Sequence, residues 1–205
     1  MAIDYSGAGF GGELPSPSTL LRAFREPIGS DRPDREVLES AHELVRCHEK
    51  RHRLLETAHA DEATPDEVAD CTHLVDKIDI KREDLVARID EWVAANIPHR
   101  AGASLHTETL GAVIDRMAAK WVVAQLALGN TEPEPVRSPK TDGPSKAADG
   151  RGRRRAVAHR ISEDRPRRGV DTEAHLQWYR LAELADGYRD LITEVAQHRR
   201  RLPTW

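Results

Sequence analysis

The chain has 205 residues, of which 39% are apolar and 32% charged, with a net charge of −4. This length predicts one domain with a real core, and the modest apolar fraction predicts that part of the chain stays outside it. The sequence has no apolar run of about eighteen residues and no secretory signal, which predicts a cytoplasmic protein and excludes a membrane-spanning one. Two cysteines without Cys-x-x-Cys spacing exclude a disulfide scaffold.

Charge is divided unevenly along the chain. Residues 1–130 carry 15 Lys and Arg against 23 Asp and Glu, whereas residues 131–205 carry 16 against 12. The most basic run, residues 150–155, has no aromatic residue among its arginines. Contact with nucleic acid through this run would be electrostatic and unspecific, so we expect no nucleic-acid partner.

Glycine and proline are frequent in residues 1–30, which predicts a flexible N-terminal arm. Within the arm, Leu20, Leu21 and Phe24 are spaced for a short helix docked on the core. Residues 31–130 are predicted to form a core of three helices. The first of them spans about 34–59, with a stripe at Leu38, Ala41, Val45 and Leu55.

The second predicted helix begins at a capping box, with Thr64 as the N-cap, Pro65 in the first turn and Glu67 at the third position. Its apolar positions alternate in steps of three and four, which is typical of a heptad seam. They are Val68, Cys71, Val75, Ile78, Leu85, Ile89 and Trp92. Arg82 interrupts this seam at a position that faces the core, and Pro98 follows the end of the helix.

The remaining predicted elements are a third helix at about 106–129, a disordered basic linker at 131–170 and a C-terminal helix within 171–205 that packs on the core. No strand is predicted. The sequence therefore favours an all-α fold, specifically a four-helix bundle of long antiparallel helices with a disordered insertion before the last helix.

Two stretches of the predicted core resemble one known family. Residues 75–90 read Val-Asp-Lys-Ile-Asp-Ile-Lys-Arg-Glu-Asp-Leu-Val-Ala-Arg-Ile-Asp, and residues 109–116 fit Thr-x-Gly-x-x-x-Asp-Arg. Both are similar to motifs of a bacterial all-helical family catalogued as domain of unknown function 4254, with Asp79 and Glu83 where the family usually has asparagines. The resemblance implies a helical fold and an actinobacterial source, and the family brings no established activity.

Residues 48–52 read His-Glu-Lys-Arg-His, which formally spells the His-Glu-x-x-His zinc motif. Helices that carry this motif in metalloproteases are apolar between the histidines because they are buried, whereas Lys50 and Arg51 are strongly polar. Leu55 also stands where the extended motif needs glycine, and Ala58 where it needs a third ligand. We therefore predict neither a metal site nor a cofactor.

The histidines of the first helix have a second interpretation, because His48, His52 and His59 extend its apolar stripe. Their rings could line the seam as titratable groups, or lie at its edge and bond to carboxylates on the second helix. We favour the edge position.

Arg82 is the most informative residue, because a buried guanidinium requires carboxylate partners or an anionic ligand. A hairpin that turns near residue 62 places Glu39 and Glu43 opposite it, and a second turn near residue 101 brings Arg116 and Lys120 close. The predicted polar layer consists of Glu39, His42, Glu43, Asp79, Arg82, Glu83, Arg116 and Lys120.

This layer is either an ion-pair network that fixes helix register or a pocket for a small anionic metabolite. The heptads, without a convincing nucleophile or metal motif, favour a non-catalytic accessory protein that binds a protein partner or itself. The alternative is a small-molecule enzyme or binding protein. Its candidate catalytic residues are His48, His52, Asp79, Arg82, Glu83, Asp115, Arg116 and Lys120.

Overall fold

Helices make up most of the part of the chain that the structure describes. The computed structural model describes residues 13–27, 29, 31–98, 100–129 and 165–203. Its helices are α1 (Pro17–Arg25), α2 (Arg35–Ala58), α3 (Pro65–Asn96), α4 (Leu110–Gly129) and α5 (Arg165–Ala196). The predicted all-α class is confirmed. Within the described ranges, none of these helices combines the length and apolar character that crossing a bilayer requires.

The capping box predicted at the start of α3 is present. The Thr64 hydroxyl accepts a hydrogen bond from the Glu67 N–H at 3.3 Å, and the Glu67 carboxylate accepts one from the Thr64 N–H at 2.9 Å. These two bonds satisfy backbone donors that the first turn of a helix leaves without partners. The sequence therefore specifies where α3 begins.

The helix predicted at 106–129 begins later, at Leu110, because Thr109 is its N-cap and accepts a hydrogen bond from the Ala112 N–H at 3.2 Å. The preceding residues instead form a short strand, β1 (Ser104–Leu105), which pairs in parallel with β2 (Arg200–Arg201). The expectation of no strand is wrong here. Two residues are too few to give an alternating pattern in the sequence.

The C-terminal helix begins at Arg165, six residues before the predicted boundary at 171. Pro166 lies in its first turn, where the missing N–H and fixed φ of proline suit a helix start. The linker predicted as disordered at 131–170 is thus helical over 165–170, and its residues 131–164 lie outside the described residues. Residues 1–12 of the predicted arm also lie outside them.

α4 packs against α2, α3 and α5, and it is the one long helix of the described chain with which α5 makes an extensive contact. α1 packs between α2 and α5, as the predicted docking of Leu20 and Phe24 requires, and both side chains are buried. The Trp121 ring lies between those of Phe24 and Trp178, with centroid distances of 6.0 and 5.6 Å. Tyr188 of α5 donates a hydrogen bond to the Pro15 carbonyl at 2.9 Å, which attaches the segment before α1 to α5. One hydrophobic core therefore joins all five helices.

The predicted seam of α3 is confirmed from its second position onward. The buried members are Cys71, Val75, Leu85, Ile89 and Trp92, and Ile78 and Arg82 are half-buried. Val68, in the first turn, is 36% exposed. Cys71 and the second cysteine of the chain, Cys47 on α2, are both free thiols. The N-terminal end of α3 is thus less covered than its centre.

α5 ends in a Schellman motif whose left-handed residue is a histidine. The His198 N–H donates to the Val195 carbonyl and the Arg199 N–H to the Glu194 carbonyl, both at 2.9 Å, and His198 has a φ of 57°. This conformation costs roughly 1 kcal/mol for a residue with a Cβ and almost nothing for glycine. We expect His198→Gly to raise Tm by about 2–4 °C in thermal unfolding followed by circular dichroism.

Gln197, one residue earlier, is the control for this substitution because its φ is not positive. Gln197→Gly adds flexibility to the unfolded chain without relieving strain, so its Tm should fall slightly. Equal effects of the two substitutions would contradict the assignment of strain to position 198.

Candidate functional site

Arg82 projects from the middle of α3 toward α4, and its side chain is 23% exposed. Its Nη2 and Nε donate to the two carboxylate oxygens of Asp115 on α4, at 2.6 and 3.2 Å. Its Nη1 donates to Asp79, one turn earlier on α3, at 2.7 Å. The prediction that Arg82 is neutralised by acids is confirmed.

Asp115 is also bound from α2, because Nε2 of His48 lies 2.8 Å from its Oδ1. The two side chains are 11% and 17% exposed. Arg51, one turn after His48, donates through Nε to Asp79 at 3.2 Å. We call these five residues, His48, Arg51, Asp79, Arg82 and Asp115, the Arg82 cluster. It connects three helices through one continuous set of hydrogen bonds.

The charges of the Arg82 cluster are balanced before His48 is counted, with two guanidiniums against two carboxylates. Burial raises the pKa of Asp115, but the hydrogen bonds from His48 and Arg82 outweigh it, so that the pKa lies below its ordinary value. The hydrogen bond to Asp115 raises the pKa of Arg82, against the opposing effect of burial. Both groups are therefore held in their charged forms.

The prediction that Glu39 and Glu43 of α2 are the acidic partners of Arg82 is wrong. Glu39 binds Arg35 of its own helix at 2.6 Å, and Glu43 binds Lys81 of α3 at 2.7 Å. Successive residues of a helix point about 100° apart, so Lys81 faces α2 while Arg82 faces α4. The predicted hairpin is correct, because two ion pairs join α2 to α3 with residue 62 midway between their partners in sequence. They are Glu43–Lys81 and Glu36–Arg88, the latter at 3.8 Å.

The other members of the predicted layer and the other candidate residues lie outside the Arg82 cluster. Arg116 is 46% exposed and binds Glu108 at 2.7 Å. Lys120 is half-buried and Glu83 exposed, and neither makes an ion pair with a described residue. His42 bonds through Nδ1 to the Ala23 carbonyl at 2.8 Å, which holds α1 on α2.

The histidines of α2 diverge rather than converge. His48 bonds to α4 instead of the predicted carboxylates on α3, His52 lies 3.1 Å from Glu56 of its own helix, and His59 bonds to the Leu55 carbonyl. The two imidazoles of the His-Glu-x-x-His string thus have separate carboxylate partners. Among the described residues, no three His, Cys, Asp or Glu side chains are arranged to hold a metal ion.

Arg51 is the member of the Arg82 cluster that the sequence reasoning missed. His48 and Arg51 are three residues apart on α2, as are Asp79 and Arg82 on α3, so each pair shares a helix face. This shared spacing was the signal available in the sequence.

A second link between α3 and α4 lies nearer the loop that connects them. Asp90 is 8% exposed and accepts a hydrogen bond from the Gly111 N–H at 2.8 Å. Burial raises the pKa of Asp90, while hydrogen bonds from Gly111 and the Thr109 side chain oppose that rise. This carboxylate satisfies a first-turn donor of α4 from a neighbouring helix.

Gly111 is required for this second link. A Cβ at position 111 would lie 2.5 Å from the carbonyl oxygen of Val86 and 3.0 Å from Oδ1 of Asp90. α3 and α4 therefore approach each other closely at this point, as only glycine permits.

Comparison with family models matches residues 38–143, just over half of the chain, to the family described as protein of unknown function, DUF4254. The chain belongs to this family. No curated protein and no solved structure matches it. The matched range contains all of α3 and α4 and α2 from Leu38 onward.

The two motif stretches that carry the DUF4254 resemblance contact each other. Arg82 of the first binds Asp115 of the second, and Asp90, which closes the first, binds Gly111 of the second. The motif residues with these contacts therefore join α3 to α4 at two levels. A role in holding the helices together accounts for their spacing.

Proposed function

We propose that this DUF4254 protein is a non-catalytic, cytoplasmic accessory protein of actinobacterial type that acts by binding a protein partner. The long helices α2 to α5 serve as a four-helix bundle, and the Arg82 cluster fixes the register of α2, α3 and α4. The observation that carries this proposal is the charge balance of the cluster, in which Asp79 and Asp115 already neutralise Arg51 and Arg82.

An anionic metabolite would need a cation whose charge is not already matched. Arg82 has two carboxylate partners, and Nε2 of His48 is engaged with one of them, Asp115. Arg116, the other arginine among the candidates, is paired with Glu108 at the surface. Lys120 makes no ion pair with a described residue, but it lies outside the Arg82 cluster. These contacts favour rigid support over ligand binding, since a ligand would have to displace a partly buried carboxylate.

The proposal is tested by tagging the protein at its natural expression level in its own host. Size-exclusion chromatography with light scattering should give a species heavier than the 22.9 kDa chain. Mass spectrometry should find one second polypeptide in a fixed ratio. A monomer, or an assembly of this chain alone, would contradict the proposal.

A further inference from the structure

A groove runs along one side of the α2–α3 hairpin and encloses about 670 Å³. It extends over residues 43–54 of α2 and residues 74–81 of α3, and no member of the Arg82 cluster lines it. At 1.5 Å per residue, its length along α2 is roughly 16 Å. The groove is thus separate from the polar network described above.

Two rows of cations border this groove. Arg46, Lys50 and Arg53 follow each other on α2 at intervals of four and three residues, and Lys77 and Lys81 are four apart on α3. Residues with these spacings lie on one face of a helix. Positive charge therefore repeats at every turn along both walls.

The acids that line the groove leave much of this charge unmatched. Glu43 is bound by Lys81 at 2.7 Å and by Arg46 at 3.1 Å, and Glu49 lies 3.7 Å from Arg53. Five cations thus face two carboxylates. Lys50 and Lys77 make no ion pair with any described residue. This excess stands out because residues 1–130 as a whole are acidic.

The floor between the two rows is apolar. Leu54 and Ile78 are half-buried, and Leu74 is 44% exposed. Exposed leucines that sit singly on a surface are ordinary. Leu74 instead lies between two rows of like charge, which is the pattern of a binding surface with a polar rim.

We infer that this groove binds an acidic amphipathic helix of the protein partner, an inference that rests on the proposed function. The apolar face of such a helix covers Leu54, Leu74 and Ile78, and acids on its two flanks meet the cationic rows. Sites for small molecules gather a few polar groups around one point, whereas these cations are spread along the length of the groove. None of the described residues that line the groove is aromatic, so none of them can stack on nucleic-acid bases.

The test uses the full chain and a fluorescein-labelled synthetic helix of about 15 residues, with leucines on one face and glutamates on both flanks. Fluorescence anisotropy should show saturable binding that weakens as salt is added. A peptide of the same composition in scrambled order should bind at least about tenfold more weakly, because its leucines no longer form a stripe.

Charge reversal locates the binding on the chain. Lys50→Glu with Lys77→Glu should weaken peptide binding at least about tenfold, since both side chains face the groove and neither is ion-paired within the described part of the chain. The control, Arg22→Glu with Arg180→Glu, makes the same change of charge on exposed residues of α1 and α5 and should leave the affinity within about twofold. Leu74→Ser should also weaken binding, which purely electrostatic attraction does not predict.

Equal binding of the ordered and scrambled peptides would overturn the inference, as would unchanged affinity of the Lys50 and Lys77 variant. Preferential binding of an oligothymidylate or of dodecyl phosphate over the peptide would overturn it in favour of nucleic acid or a small amphipathic anion. If the complex formed in the host persists when Lys50 and Lys77 are both replaced by glutamate, the groove is not the binding site, although the proposed function still holds. If the tagged wild-type protein forms no complex in its host, the proposed function itself is contradicted.

Discussion

Gly111→Ala should destabilise the protein by about 2–3 kcal/mol, although alanine ordinarily favours a helix by about 1 kcal/mol over glycine. The added Cβ would lie 2.5 Å from the Val86 carbonyl oxygen and 2.9 Å from Val86 Cγ1. The nearer atom belongs to the backbone of α3, so a change of rotamer cannot relieve the contact. α3 and α4 must move apart, which also stretches the 2.8 Å hydrogen bond from the Gly111 N–H to Asp90.

Gly187 is the matched control. It lies inside α5, and a Cβ at this position would have no atom of a described residue within 4 Å. Gly187→Ala should therefore stabilise the protein by about 0.5–1 kcal/mol. Guanidinium unfolding monitored by circular dichroism measures both changes. If the two alanine variants were equally stable, the close approach of α3 and α4 at Gly111 would be wrong.

The sequence predicted the long helices and the α2–α3 register because both depend on local patterns. The capping box fixed the start of α3, and the turn near residue 62 placed Glu43 beside the α3 positions 81 and 82. Lys81, rather than Arg82, makes that contact. Adjacent residues of a helix point about 100° apart. The sequence does not give the rotation of α3 about its axis, so it cannot show which of the two residues faces α2.

Asp115 is among the candidate residues, but its pairing with Arg82 is not predicted by the sequence, for a different reason. A symmetric turn at residue 101 places Lys120 opposite Arg82, whereas the structure places Asp115 there. The α3–α4 connection is not a simple turn, because β1 pairs with β2 from the C-terminal end of the chain before Thr109 caps α4. The pairing of β1 with β2 joins residues far apart in sequence, so it leaves no local signal. The α3–α4 register differs from the predicted one by more than one helical turn.

Asp115→Asn should lower the free energy of unfolding by about 2 kcal/mol at neutral pH. The substitution keeps the shape of the side chain but leaves the partly buried Arg82 guanidinium with Asp79 alone, which Arg51 shares. Glu36→Gln is the control, because Glu36 and Arg88 are about half exposed and 3.8 Å apart. It should change stability by less than about 0.5 kcal/mol. Urea unfolding of the three proteins measures the difference.

The effect of Asp115→Asn should disappear in acid. The pKa of Asp115 is lower in the folded protein than in the unfolded chain, so its ionised form stabilises folding above the unfolded pKa of about 3.9. This stabilisation is lost as the pH falls below that value and through the folded pKa. The free-energy gap between the wild type and Asp115→Asn should therefore narrow below about pH 4. A gap that stays constant in acid would show that the charge of Asp115 is not its cause.

A double-mutant cycle separates the pair of Arg82 and Asp115 from the rest of the cluster. Arg82→Met alone leaves two carboxylates without their main cation, and Asp115→Leu alone leaves Arg82 short of its closest acid. The double variant removes both charges and places apolar side chains between α3 and α4. Its loss in free energy of unfolding should therefore be smaller than the summed losses of the two single variants, by about 1–2 kcal/mol. Strictly additive losses would mean that the two side chains are not coupled, and a cluster without coupling could not set the register of these helices.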